Sequence, residues 1–154
     1  MKVKIPLQLI ELEEGNYHLF AECTFENGDS GYWAIDTGAS KTIFNRLLTS
    51  LFVHDEDVEE KKIHSSGLGE TLFETTLGTL MPFSMGNFRI EKLQVALIDL
   101  SHINRLYHQA TSITICGLIG GDFLYRHKAI IDYRKKLLVL EMKNRPGKNQ
   151  SDKY

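Results

Sequence analysis

Residues 33–44 read WAIDTGASKTIF. The apolar run Trp33, Ala34 and Ile35 has the composition of an inner strand, yet it leads straight into the carboxylate of Asp36. Behind the acid stand Thr37, Gly38, Ala39 and Ser40, all too small to shield a charge. Gly38 opens backbone angles closed to other residues and lets a second segment approach closely, and Thr37 adds a hydroxyl that ties a loop down. A carboxylate held this way is only partly hydrated, which favours a functional role. A plain turn in which Asp36 accepts backbone hydrogen bonds fits the same residues. The triplet Asp-Thr-Gly also arises by chance in roughly 3% of chains of this length, so other parts of the chain must discriminate.

The chain has 154 residues, of which 42% are hydrophobic, enough for one domain with a single ordinary core. Its formal charge is −2 with the signs interspersed, so there is no basic stripe to track a phosphate backbone, and nucleic acid is excluded as a partner. The opening MKVKIPLQLIELEE is interrupted by Gln8 and ended by acids before it reaches signal-peptide length. No segment approaches the roughly 20 apolar residues that span a bilayer, so no membrane partner is expected and a soluble, cytoplasmic protein is. Cys23 and Cys116 read as reduced core residues. The 6 histidines lack metal-like spacing, so no metal and no cofactor is expected. Neither Ser40 nor Cys116 sits in a nucleophile motif.

Short alternating runs separated by turn formers such as Glu14-Gly15-Asn16 and Asn27-Gly28-Asp29 make this a mostly β chain. Strands are expected over residues 3–11, 17–25, 31–35, 61–65, 72–84, 88–98, 112–118, 129–133 and 136–142. The patterning predicts one short helix over residues 45–51, a second beginning at Ser101 as its cap, and a third near Gly121. The charge run VHDEDVEEKK at 53–62 reads as a solvated loop or strand edge. Residues 1–143 are expected to form the domain, and residues 144–154 a disordered tail.

Downstream, Leu118, Ile119 and Gly120 lead into GDFLYRH, and AIIDYRKKLLVLEM follows. With Ala34, Ile35, Asp36, Thr37, Gly38, Ala39 and Ser40, this combination resembles the retropepsin-like aspartic proteases, the single-domain relatives of retroviral proteases and of each half of pepsin. The likeness covers most of residues 17–142. It implies a mostly β, single-domain closed barrel with two or three short helices, close to the cellular and bacterial members.

The resemblance also implies a mechanism. In this family two aspartates face each other across a twofold axis, hold one water and share one proton, because two carboxylates that close cannot both ionise easily. One takes a proton from the attacking water, and the other stabilises the oxyanion and helps the amine leave, with activity expected near neutral or on its acid side. This chain carries one triplet, so the expected enzyme is an aspartic endopeptidase working as a homodimer on peptides or unfolded protein segments, with Asp36 from each subunit. Thr37 would bond across to the opposite loop. The backbone of Gly38 would contact substrate, with Ala39, Ile119 and Gly120 beside it.

The family's flap corresponds to a hairpin around residues 64–74 whose tip is Ser65, Ser66, Gly67, Leu68 and Gly69, a stretch that also reads as an ordinary turn. Retroviral members pair an acid two residues after Asp-Thr-Gly with an arginine after the later glycine. Ser40 and Gly121 occupy those positions here, which implies a different bracing of the dimer. The alternative function is a non-catalytic peptide-binding or dimerisation module on the same fold.

Overall fold

A computed structural model describes residues 1–55, 61–64 and 72–142 of the chain, with backbone alone at 61–64 and 72–75. Strand β1 (Lys2–Glu13) buries Ile5 and Leu7 while Lys4, Pro6 and Gln8 face out, the period of two of a half-covered strand. It turns into β2 (Asn16–Phe25) at Gly15, whose φ of 82° suits glycine, and the Glu11 carboxylate accepts the Gly15 N–H at 3.0 Å. Asn27-Gly28 makes the next turn into β3 (Ser30–Ile35), the strand that ends at the candidate acid.

The remaining strands are β4 (Ile43–Asn45), β5 (Phe52–His54), β6 (Lys61–His64), β7 (Leu72–Leu80), β8 (Phe83–Met85), β9 (Phe88–Ile90), β10 (Gln94–Ile98), β11 (Ile115–Ile119), β12 (Ile130–Asp132) and β13 (Leu137–Glu141). Helix α1 (Ser101–His108) joins β10 to β11, and α2 (Gly121–Arg126) follows β11.

Among the described residues the strands run β12-β13-β1-β2-β3-β11-β4-β10-β7-β5, with β6 on β7 and the β8–β9 pair on β2. The first half of β1 pairs with β13 and the second half with β2, so one strand serves two ladders. The expected closed barrel is not formed, because the path ends at β12 and β5 and these do not bond to each other. Closure needs matched tilt and stagger around a full ring, and two three-residue end strands offer too short a ladder for it.

At the centre, β3 and β11 run parallel with Ile35 opposite Ile119, and β4 lies antiparallel on the far side of β11. Alternation sends Trp33, Phe44 and Cys116 into one core and Ala34, Ile43 and Ile115 into a second on the opposite face. The first core is built on aromatic contacts, with Trp33 and Phe83 at 5.4 Å and Phe25 and Phe83 at 5.5 Å between centroids.

Several elements differ from their sequence reading. The helix expected over residues 45–51 shrinks to a single 3-10 turn, Thr49–Leu51. Asn45 closes β4 instead, and its buried side-chain oxygen accepts the N–H groups of Leu47 at 3.2 Å and Leu100 at 3.3 Å, a local competitor to helix formation. Ser101 is the first residue of α1 and not its cap. The Asp99 carboxylate accepts the Ser101 N–H at 2.9 Å, and the Ser101 hydroxyl and amide hold that carboxyl below its ordinary range.

The strand expected over residues 72–84 is divided at Pro82, which has no N–H for a ladder, and the one over 88–98 is divided between Ile90 and Gln94. Phe52–His54 forms a short strand at the start of the charge run. The expected tail at 144–154 lies outside the described residues.

Candidate active site

The parallel β3–β11 pairing brings the ends of two distant strands to one level, and the ladder continues one step beyond them. The Asp36 N–H donates to the Ile119 carbonyl at 2.9 Å, so the acid leaves β3 with its backbone still held. The chain then turns on Asp36 itself. Its Oδ1 accepts the Gly38 N–H at 3.0 Å and its carbonyl accepts the Ala39 N–H at 3.2 Å. Asp36 is half-buried and Ala39 is buried, while Thr37 and Gly38 stand exposed at the tip.

Gly120 fits because nothing larger could. A Cβ there would lie 2.8 Å from the Ala39 oxygen and 2.8 Å from the Lys41 carbonyl group. The Gly120 N–H donates to the Thr42 hydroxyl at 3.1 Å, and the Gly121 N–H donates to the Ala39 carbonyl at 2.7 Å, tying the start of α2 to the loop.

Asp122 closes this network. One of its oxygens accepts from the Thr42 N–H at 2.9 Å, the Thr42 hydroxyl at 2.7 Å and the Phe123 N–H at 2.8 Å. Lys41 Nζ stands 3.7 Å from its other oxygen. The retroviral acid and arginine are absent at Ser40 and Gly121. A pair of reversed sign, Lys41 with Asp122, stands one residue later on each side and braces the loop within the chain.

Asp122→Ala leaves the N–H and hydroxyl of fully buried Thr42 without their acceptor, and is expected to cost about 2–4 kcal/mol in denaturant unfolding. Lys41→Met removes only a part-exposed ion pair, and is expected to cost about 0.5 kcal/mol or less in the same measurement.

A groove of about 1030 Å³ opens beside Asp36. Ala34, Ile35 and Leu118 form its floor, the β1–β2 hairpin one wall and α1 the other. Tyr107 of α1 is buried at the inner end, and burial together with the charge of Asp36 raises its phenol above the ordinary value. A second depression, about 670 Å³, lies next to Thr37 and is bordered by Leu124, Tyr125 and Lys128. Tyr125 is 89% exposed there.

The structure therefore brings together Asp36, Thr37, Gly38, Ala39, Ile119 and Gly120. Ser65, Ser66, Gly67, Leu68 and Gly69 lie outside the described residues. The two arms that would carry that tip are present, β6 and β7 pairing antiparallel from Lys61 opposite Thr75 to His64 opposite Leu72. Sequence reasoning missed Thr42 and Tyr107 altogether. No local signal links Thr42 to an acceptor 80 residues away, whereas the helical spacing of Ile103 and Tyr107 in α1 marks a face that must pack on something.

Among the described residues no group of three or more His, Cys, Asp or Glu side chains could hold a metal ion, and no helix is long and apolar enough to cross a membrane.

An Asp-Thr-Gly loop and an apolar-apolar-Gly strand end thus stand side by side in a mostly β fold. The aspartyl protease family model matches residues 21–123, well over half of the chain, and the chain belongs to that family. The fold is similar to that of a retropepsin-like aspartic protease from Rickettsia conorii, at 18% identity over 91% of this chain and 90% of that one, with a TM-score of 0.50. The retroviral protease-like domain of Ddi1 from Leishmania major matches at 20% identity over 82% of this chain and 95% of that one, with a TM-score of 0.45. The protein edgp matches 92% of this chain at 6% identity and a TM-score of 0.52, and this chain spans only 46% of its length. No curated protein matches the sequence.

Proposed function

We propose that this protein is an aspartic endopeptidase that assembles as a homodimer and hydrolyses peptide bonds in extended or unfolded segments. The observation that carries the reading is the half-buried Asp36 carboxylate, held by its own turn beside a groove, with Thr37 and Gly38 exposed around it. One chain supplies one such acid, and a twofold axis through the exposed tip supplies the second.

The two Asp36 carboxylates then hold one water and one proton between them. The ionised acid takes a proton from the water as its oxygen bonds to the peptide carbonyl carbon. The protonated acid donates to the forming oxyanion, and proton return to the nitrogen releases the amine. The Thr37 hydroxyls bond across the axis to the opposite loops. The exposed Gly38 backbone meets the substrate, and buried Ala39, Ile119 and Gly120 hold the loop from behind. The proposed setting is reducing and cytoplasmic, where the buried thiols of Cys23 and Cys116, 4.0 Å apart, would stay free.

Cleavage of a reduced, alkylated protein between pH 4 and 8, followed across a dilution series with mass by sedimentation, tests the assembly. Activity per subunit is expected to fall in step with the dimer fraction. A monomer that cuts would overturn the homodimer, and a dimer that never cuts would leave the peptide-binding module as the function.

A further inference from the structure

We infer that helix α1 is the specificity wall of this site, with Tyr107 and Leu106 setting which substrate side chains are accepted on both sides of the cleaved bond. The inference rests on the protease reading and adds the part of the chain that selects the substrate.

The wall is rigid for a local reason. Asn104 is buried on α1, donates its side-chain N–H to the Ile115 carbonyl at 3.1 Å and accepts the Ile115 N–H at 2.8 Å, so its amide takes the place of a neighbouring strand for β11. Because β11 ends at Ile119 and Gly120, the helix is fixed to the strand that positions the acid. The Tyr107 carbonyl accepts the Thr111 N–H at 2.8 Å, which fixes the helix end as well.

Tyr107 is held on two sides. Its ring stands edge-on to Phe20 at 5.4 Å and 83°, and to His18 at 5.8 Å and 79°. Its hydroxyl lies 3.5 Å from His18 Nδ1. Ala34 adds only a methyl group to the floor, so bulk there comes from its floor neighbours Ile35 and Leu118 and from Tyr107 at the end. Leu106 lines the same groove nearer solvent, with 53% of its surface exposed. An apolar floor, an aromatic end and an aliphatic rim suit a large apolar side chain. In a symmetric dimer the two α1 helices stand on opposite sides of the axis, so the residues before and after the cleaved bond meet the same wall.

A peptide library varied at those two positions, digested by wild type, Tyr107→Leu, Leu106→Lys and Tyr107→Phe, tests this. Tyr107→Leu deepens the pocket and is expected to shift preference from leucine toward phenylalanine and tryptophan by about tenfold, at both positions together. Leu106→Lys is expected to raise cleavage next to Asp and Glu, and Tyr107→Phe to leave the profile as in wild type. Leu106 is exposed, so its variant keeps the test decisive if Tyr107→Leu does not fold.

Folded Tyr107→Leu and Leu106→Lys proteins with the wild-type profile would overturn the assignment, as would a shift confined to one side of the bond. If no form cleaves, the same peptides are titrated against each protein carrying Asp36→Asn, read by fluorescence anisotropy. Binding preferences that shift with Tyr107 and Leu106 uphold the wall while the protease reading fails, and unshifted preferences sink the wall.

Discussion

Asp36→Asn is expected to reduce peptide cleavage by about a thousandfold or more across pH 4 to 8 with the fold intact. The amide still offers an oxygen to the Gly38 N–H, a bond of 3.0 Å in the native loop, so the turn survives while the base is lost. Thermal melting of the variant close to that of wild type separates lost chemistry from lost structure. In the proposed homodimer the variant would also act as an inhibitor. Mixing equal amounts of the two proteins and allowing subunit exchange should leave about a quarter of the dimers with two native acids where about half had them before, so activity should fall to about half of its value before exchange. A variant that cleaves as well as wild type would remove Asp36 from the mechanism altogether.

Gly117→Ala is the largest expected effect on stability. A Cβ at this position would stand 2.5 Å from Cζ3 and 2.9 Å from Cε3 of Trp33, and would collide with the Ile43 carbonyl oxygen. Trp33 is fully buried and packed against Phe44 and Phe83, so its ring has nowhere to retreat. The cost is expected to exceed about 3 kcal/mol, a large share of the ~5–15 kcal/mol of a typical domain. Urea unfolding reads it directly. Gly121→Ala is the matched control. Its Cβ would meet the Ala39 oxygen at 3.5 Å, an ordinary contact, and the expected change is within about 0.5 kcal/mol. Equal midpoints for the two variants would show that Gly117 is not a packing constraint.

What the sequence made legible was local chemistry. The alternation of β1 and β2, the glycine turns and the Asp36 loop are written within a few residues of where they act. Gly120 could be matched to Asp36 because a known pattern links the two segments. The missing parts depend on partners distant along the chain. Asn45 stops a helix because its amide also reaches Leu100, and Asp122 acts through Thr42. Pattern alone placed α1 but not the surface it covers. Whether a sheet closes depends on the lengths of its end strands and their stagger, neither of which shows in a run of alternating residues.

The pairing of Ile35 with Ile119, and the bonds from Thr42 to Asp122 across 80 residues, also set an order of events. A contact between such distant residues pays its loop-closure entropy late, after local hairpins have formed. While the chain is being synthesised, the Asp36 loop therefore has neither its floor nor its brace until α2 has emerged. The proposed hydrolytic competence would arrive only with the last third of the chain, so a half-made protein would have no means to cut its neighbours.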